Sequence, residues 1–316
     1  MSSDAFSRRG FLQTAAMMGG AALLAAQKAK PAAAAPPGKL HLACNQYPWQ
    51  QFYRREDRNF AASLDAGLAE VAQSGMDGFE PGISSPQQVD EIAPLIKKHG
   101  LEMRSIYVNS VLYEAGEVEK SIANIVGIAQ RAKQAGTKII VTNPSPIRWG
   151  GPENKSDAQL KAQAAALDKL GAELGSLGVT LAYHNHDIEL RNAAREFHHM
   201  LLATDPKRVT LCLDAHWVYR GSGNSAVALF DVLKLYGRRV SELHLRQSAD
   251  GTWTEAFGDG DIDYPALAKY LLGIGVKPHL VLEQAPEKGT PKTMDAVKSH
   301  RQSRRYAETV FAAFIT

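Results

Sequence analysis

Val179-Thr-Leu-Ala-Tyr-His-Asn-His-Asp187 reads as a strand that ends in chemistry. In an extended chain successive side chains face opposite sides, so Leu181 and Tyr183 share one face while Ala182, His184 and His186 share the other. Three later runs repeat the design. Leu211 and Leu213 oppose Cys212, Asp214 and His216; Leu243 and Leu245 oppose Glu242, His244 and Arg246; Leu280 and Leu282 oppose Val281 and Glu283. The leucine faces belong against helices, so the polar faces look inward. Most of the polar residues also sit at strand C-terminal ends, where barrel enzymes keep their active sites.

Working outward from these runs, the chain from residue 40 onward alternates short aliphatic segments with longer helical patterns. Strands are predicted at 40–46, 78–80, 101–108, 138–143, 179–186, 209–216, 240–246 and 280–283, with helices between them and a last helix near 293–314. Gly75, Gly100, Gly136, Gly178, Gly237 and Gly275 stand where left-handed caps end helices, and Ser85-Pro86 and Ser156-Asp157 are start signals. Eight such units predict an α/β fold, a (β/α)8 barrel, as one domain over 38–316. A doubly wound open sheet would usually need a phosphate-binding glycine loop after its first strand, and Asn45-Gln46-Tyr47-Pro48-Trp49 is not one.

The 316 residues are 45% hydrophobic and 22% charged, ordinary for a soluble domain with a sizeable core. Part of the net charge of +3 lies near the two ends, and no basic stripe crosses the middle, which argues against a nucleic-acid partner. Cys44 and Cys212 fall in separate predicted strands and are expected as buried small hydrophobes. At the N-terminus, Ser7-Arg8-Arg9-Gly10-Phe11-Leu12 precedes a weakly apolar run at 14–26 and then alanines and prolines up to Pro37. This pattern resembles a twin-arginine (Tat) export signal, so 1–37 is set apart from the fold. Its apolar run falls short of the about 20 residues that span a bilayer. The expectations are the Tat translocase as a transient partner, a periplasmic or otherwise exported location and no stable membrane span. Monomer and homo-oligomer both remain open.

Imidazoles and carboxylates do not gather inside a barrel mouth without compensation, since each unpaired group loses several kcal/mol of solvation. A divalent cation bound by mixed N and O donors removes that cost. His184, Asp214, His244 and Glu283, from four consecutive strand ends, are therefore the expected metal ligands, while Glu242 lies one layer deeper. Mn2+ is the favoured ion, with Zn2+, Co2+ or Mg2+ as alternatives. The acidic loop 255–263 lacks EF-hand spacing, and Asp263 is read as a helix cap. Tyr47, Trp49, Trp149, Trp217 and Trp253 are candidates for stacking on a sugar ring, and 144–154 has the composition of a lid.

The motifs at 179–187, 211–214, 243–246 and 281–283 resemble the sugar phosphate isomerase/epimerase superfamily, the xylose-isomerase-like barrels, in the family's order and across nearly all of the chain after the export segment. Tyr-His-Asn-His at 183–186 resembles a subgroup near inosose dehydratase and 3-keto-glycoside-processing enzymes. The resemblance implies that Asp214, His244 and Glu283 bind the metal. It places His184 where the family commonly has a glutamate that moves protons, and Arg246 where it often has a lysine. The expected chemistry is proton removal next to the carbonyl of a sugar or keto-sugar, with a divalent ion carrying the charge of the enediolate. Glu283, His186 and His216 are the candidate acids and bases. Asn45, Glu80, Arg246 and Trp149 are the candidate substrate contacts. Isomerase or epimerase is the first reading; a keto-sugar or keto-glycoside dehydratase or lyase, or a degenerate saccharide-binding barrel, is the alternative.

Overall fold

The computed structural model describes residues 38–315, so the expected export segment lies outside the described residues. Eight parallel strands alternate with helices: β1 Leu42–Asn45, β2 Gly78–Glu80, β3 Ser105–Ser110, β4 Ile139–Pro144, β5 Thr180–His184, β6 Val209–Asp214, β7 Val240–Leu245 and β8 His279–Leu282. Their spatial order is β2-β1-β8-β7-β6-β5-β4-β3. The two ends of the sheet meet where the Phe79 N–H donates to the Glu102 carbonyl and the Tyr107 N–H to the Pro81 carbonyl, both at 2.9 Å. That seam closes the (β/α)8 barrel. Gly78 makes the approach feasible, because a Cβ there would lie 2.8 Å from the Glu102 carbonyl oxygen.

The ten helices described are α1 Gln46–Arg55, α2 Leu64–Gln73, α3 Pro86–Lys98, α4 Val118–Gln134, α5 Asp157–Ser176, α6 Arg191–Leu202, α7 Ala215–Gly221, α8 Ala226–Tyr236, α9 Tyr264–Gly273 and α10 Ala296–Val310. The leucines at 181, 211, 213, 243, 245, 280 and 282 are all buried in the core. Each side chain so buried is worth about 1.5–3 kcal/mol relative to exposure, which fixes the polar faces inward. Cys44 and Cys212 are buried free thiols. Asp263 caps α9 by accepting the Ala266 N–H at 2.8 Å. None of the described helices is long and apolar enough to cross a membrane.

Three differences from the expected elements matter for the site. β3 starts at Ser105, and before it Glu102 forms an isolated bridge to Gly78 while the Arg104 carbonyl accepts the Lys138 N–H at 2.8 Å. Two helices start with no intervening loop. Asn45 closes β1 and caps α1, accepting the Tyr47 N–H at 2.7 Å, so Tyr47 and Trp49 are helical. Asp214 closes β6 and caps α7, accepting the Trp217 N–H at 2.9 Å. Alternation runs on through Ala215 and His216 in the sequence, but the chain has already turned, and His216 is a helix residue.

Candidate metal centre

Strand register brings the four expected donors together. Asp214 pairs with His244 across β6 and β7, and His244 with Val281 across β7 and β8, which leaves Glu283 one pleat above. A bulge between Leu211 and Cys212 sets this register, so that Glu242 faces Cys212 and His244 faces Asp214. One donor atom from each of His184, Asp214, His244 and Glu283 lies within 4.8 Å of all the others, and all four residues are buried. Ligands at about 2.0–2.3 Å from a common ion are spaced in this way.

The hydrogen bonds left unmade are as telling as the geometry. Neither ring nitrogen of His184 has a partner, although the residue is fully buried. The Asp214 Oδ2 likewise has none, its Oδ1 being used on the α7 cap. Burial, with His186 and His244 adding to it, holds His184 well below the usual histidine range, so its imidazole is neutral as a ligand must be. Burial pushes Asp214 up to about 7 against the opposing Arg246 charge. Glu283 goes the other way: burial opposes its charge, but Arg246 and His244 outweigh burial and hold it well below the carboxylate range. The donor chemistry of these four residues fits a divalent cation.

His244 bridges two layers. Its Nδ1 faces the Glu283 Oε2 at 2.9 Å, and its Nε2 lies 3.1 Å from the Glu242 Oε1 and 3.2 Å from the Glu80 Oε1. Burial and the Glu80 charge push Glu242 well up, so it keeps its proton. Glu80 is ionised, at about 2, because the His244 charge and its hydrogen bonds outweigh burial. Glu80 also accepts from the Asn45 Nδ2 at 2.5 Å and the Ser105 Oγ at 2.9 Å. This corrects the reading of Glu80 as a substrate contact: it lies beneath the donors and orients His244 from below, as carboxylates behind ligating histidines do. Glu242 belongs to the same lower layer and does not pair with Arg246.

A cleft of about 440 Å³ opens above, lined by Asn45, Gln46, Tyr47, Gln50, Gly82, Ile83, Ser84, Gln88, Tyr107, Asn109, Trp149, His186 and Glu283. Glu283 and His186 are thus the groups that connect donors and cleft. The His186 ring stacks on His184 with centroids 4.7 Å apart and meets the edge of Trp149 at 4.9 Å. Burial brings His186 down to about 4, leaving it neutral. The His186 backbone N–H donates to the Glu189 Oε2 at 2.6 Å, and Glu189 also accepts from the Asn143 Nδ2 at 3.1 Å. The sequence reading missed Glu189, Tyr107 and the cleft amides other than Asn45; only the position of Glu189 three residues after His186 hinted at any of them.

Three other candidates take different roles from those expected. Arg246 does not line the cleft: its Nη2 lies 2.9 Å from the Glu283 Oε2 and 3.6 Å from the Asp214 Oδ2, and its guanidinium packs on Trp217 and Trp253. Its charge is spent on the donors rather than on a substrate oxygen. His216, turned away by α7, shares a hydrogen with the Ser248 Oγ at 3.0 Å; burial, Arg246 and Arg220 press it down to about 2. It does not line the cleft, and its imidazole is neutral. Trp49 is fully buried with its Nε1 on Cys44 and its ring stacked on His300, so it has no face for a sugar. Asn45 does line the cleft, but its amide is consumed by Tyr47 and Glu80; Trp149 lines the cleft and is half exposed.

With this geometry in hand, comparison with known proteins is specific. A family model described as the xylose isomerase-like TIM barrel matches residues 68–300. The inosose dehydratase of Clostridium perfringens is 26% identical over 268 residues, covering 74% of this chain and 86% of that protein. Among solved structures, a sugar phosphate isomerase/epimerase from Parabacteroides distasonis superposes with a TM-score of 0.66 at 18% identity, over 90% of this chain and 98% of that one. The 3-keto-D-glucoside 4-epimerase of E. coli gives 0.59 at 18% identity, over 86% of this chain and 100% of its own.

Proposed function

We propose, for a chain that belongs to the xylose isomerase-like TIM barrel family, a metal-dependent enzyme that removes a proton next to the carbonyl of a sugar-like polyol. The observation that carries this reading is the convergence of four buried donors, two with orphaned atoms, directly under a cleft that Glu283 and His186 share. His184, Asp214, His244 and Glu283 hold the ion, Mn2+ by preference for this mixed N/O set. When bound, the ion stabilises negative charge on substrate oxygens. Glu283 is the one carboxylate lining the cleft among the described residues, and the neutral His186 is the second group able to accept or return a proton. Tyr107 and Trp149 wall the cleft.

The protein is a sugar isomerase/epimerase-like enzyme, and lyase chemistry is open to the same site. Return of the proton to another position or face is isomerisation or epimerisation, the first reading. Loss of a β-hydroxyl from the same intermediate is dehydration. An imidazole where epimerases commonly carry a second carboxylate, together with the similarity to inosose dehydratase, keeps that second reading in play. The test is solvent-deuterium exchange at substrate carbons over a panel of keto-sugars and inososes, with metal content measured alongside. We expect about one divalent ion per chain, and exchange abolished by EDTA. Metal-free protein whose activity ignores EDTA sinks the reading; ligand binding without exchange reduces the protein to a saccharide-binding barrel.

Export through the Tat pathway is part of the same proposal and rests on Arg8-Arg9 and the run that follows. Because the paired guanidinium groups are the address that the translocase reads, changing both to Lys should hold the protein in the cytoplasm. Fractionation that finds the Lys-Lys variant in the periplasm at the wild-type level rejects the assignment.

A further inference from the structure

The metal donors come from β5 to β8, so they occupy one half of the barrel mouth. The opposite half of the cleft rim comes from β1 to β3 and the helices after them, and it is built of amides. Gln46 from α1 accepts the Gly82 N–H on its Oε1 at 3.1 Å. Gln88 from α3 accepts the Ser84 N–H at 2.7 Å and the Ser84 Oγ at 3.0 Å on its Oε1. A backbone N–H requires the carbonyl oxygen opposite it, so both amides are fixed in orientation. Each Nε2 is then left without a partner among the described residues, in a side chain that lines the cleft. Gln50, Asn109 and the Tyr107 hydroxyl stand beside them.

The charge balance of this rim is equally specific. Among the described residues no Lys or Arg lines the cleft, and its one full charge is the Glu283 carboxylate. The nearby guanidinium of Arg246 is already paired with Glu283 and packed on Trp217 and Trp253. Phosphate sites built by proteins commonly use Arg or Lys forks, and among the described residues none lines this cleft.

We infer that Gln46 and Gln88 form a subsite for the uncharged, hydroxyl-bearing part of the substrate, which makes the enzyme selective for unphosphorylated polyols over sugar phosphates. The subsite lies across the mouth from the metal donors, so a substrate held there through its carbonyl end presents its far hydroxyl or ether oxygens to two pre-oriented N–H donors. The inference takes the location of the substrate from the proposed function, but it stands on groups that touch no metal donor.

The test uses the full chain loaded with Mn2+ and calorimetric binding of paired probes, myo-inositol with inositol 1-phosphate and methyl glucoside with its 6-phosphate. Gln46→Glu and Gln88→Glu keep an acceptor for Gly82 and Ser84 while replacing the N–H donor with a carboxylate oxygen, and Gln46→Met and Gln88→Met, which remove the donor without adding charge, must weaken the neutral probes in the same direction. Each should weaken the neutral probes by about tenfold, the worth of a hydrogen bond with its unpaired partner, while metal content and Tm stay at wild-type values. The phosphorylated probes should bind at least tenfold more weakly than their neutral partners to the wild-type chain. Equal or tighter binding of the phosphates, no binding of either neutral probe, or neutral binding unchanged in both Met variants overturns the inference. Metal content separates the two claims: a wild-type chain that binds neutral probes but no ion refutes the metal reading and leaves the amide subsite standing.

Discussion

Asp214→Asn should reduce ion affinity by about 100-fold or more and abolish most turnover while leaving the fold intact. The estimate follows from what outer-shell substitutions do: removing a group behind a metal ligand typically costs 10–100-fold, and loss of a ligand charge costs at least that. The choice of Asn follows from the structure. Asp214 also caps α7 through the Trp217 N–H, and Asn caps helices as well as Asp does. Asp214→Ala should lose the ion too, and with it the cap, worth about 1 kcal/mol. The pair therefore separates function from stability: both variants should be metal-poor after desalting, and only the Ala variant should melt lower, by about 2 °C. An Asn variant that retains a full equivalent of ion would remove Asp214 from the ligand set.

Replacing His184 and His186 in turn should give failures of different kinds, although the two rings stack 4.7 Å apart. His184 lies among the donors with both nitrogens unpartnered, whereas His186 lines the cleft. His184→Ala should lower metal occupancy, and excess Mn2+ should restore part of the activity. His186→Ala should keep the ion and lose 10²–10⁴-fold in turnover, the usual contribution of a general acid or base. His184→Glu, which supplies the ligand common in the family, should still bind metal. The measurements are metal stoichiometry, turnover against added Mn2+, and deuterium exchange on each variant. If His186→Ala empties the site and His184→Ala does not, the two roles exchange.

How far the sequence reaches can be judged from the same residues. Period-two alternation alone placed His184, Asp214, His244 and Glu283 on inward faces, because the leucines between them have to be buried against helices. Eight repeats of strand and helix then determined the barrel, and with it the mouth where those faces gather. Two thiols with no spacing partner read correctly as buried hydrophobes.

Only the tertiary structure decided which inward residue does what. Alternation fixes a side but not a height, and height depends on the register between strands. The bulge at Leu211/Cys212 sets His244 level with Asp214, and hydrogen bonds from Asn45 and Ser105 hold the Glu80 carboxylate beside the His244 Nε2 instead of in the cleft. Alternation is also blind to where a strand stops. Asp214 and Asn45 end their strands by capping helices that begin at the next residue, which removes His216 and Trp49 from the mouth and brings Gln46 to its rim. Arg246 was legible as a cation at the right strand end, but its use depends on the distances to Asp214 and Glu283, which no local pattern encodes. Sequence periodicity therefore determined the faces, and the stagger and termination of the strands decided the roles.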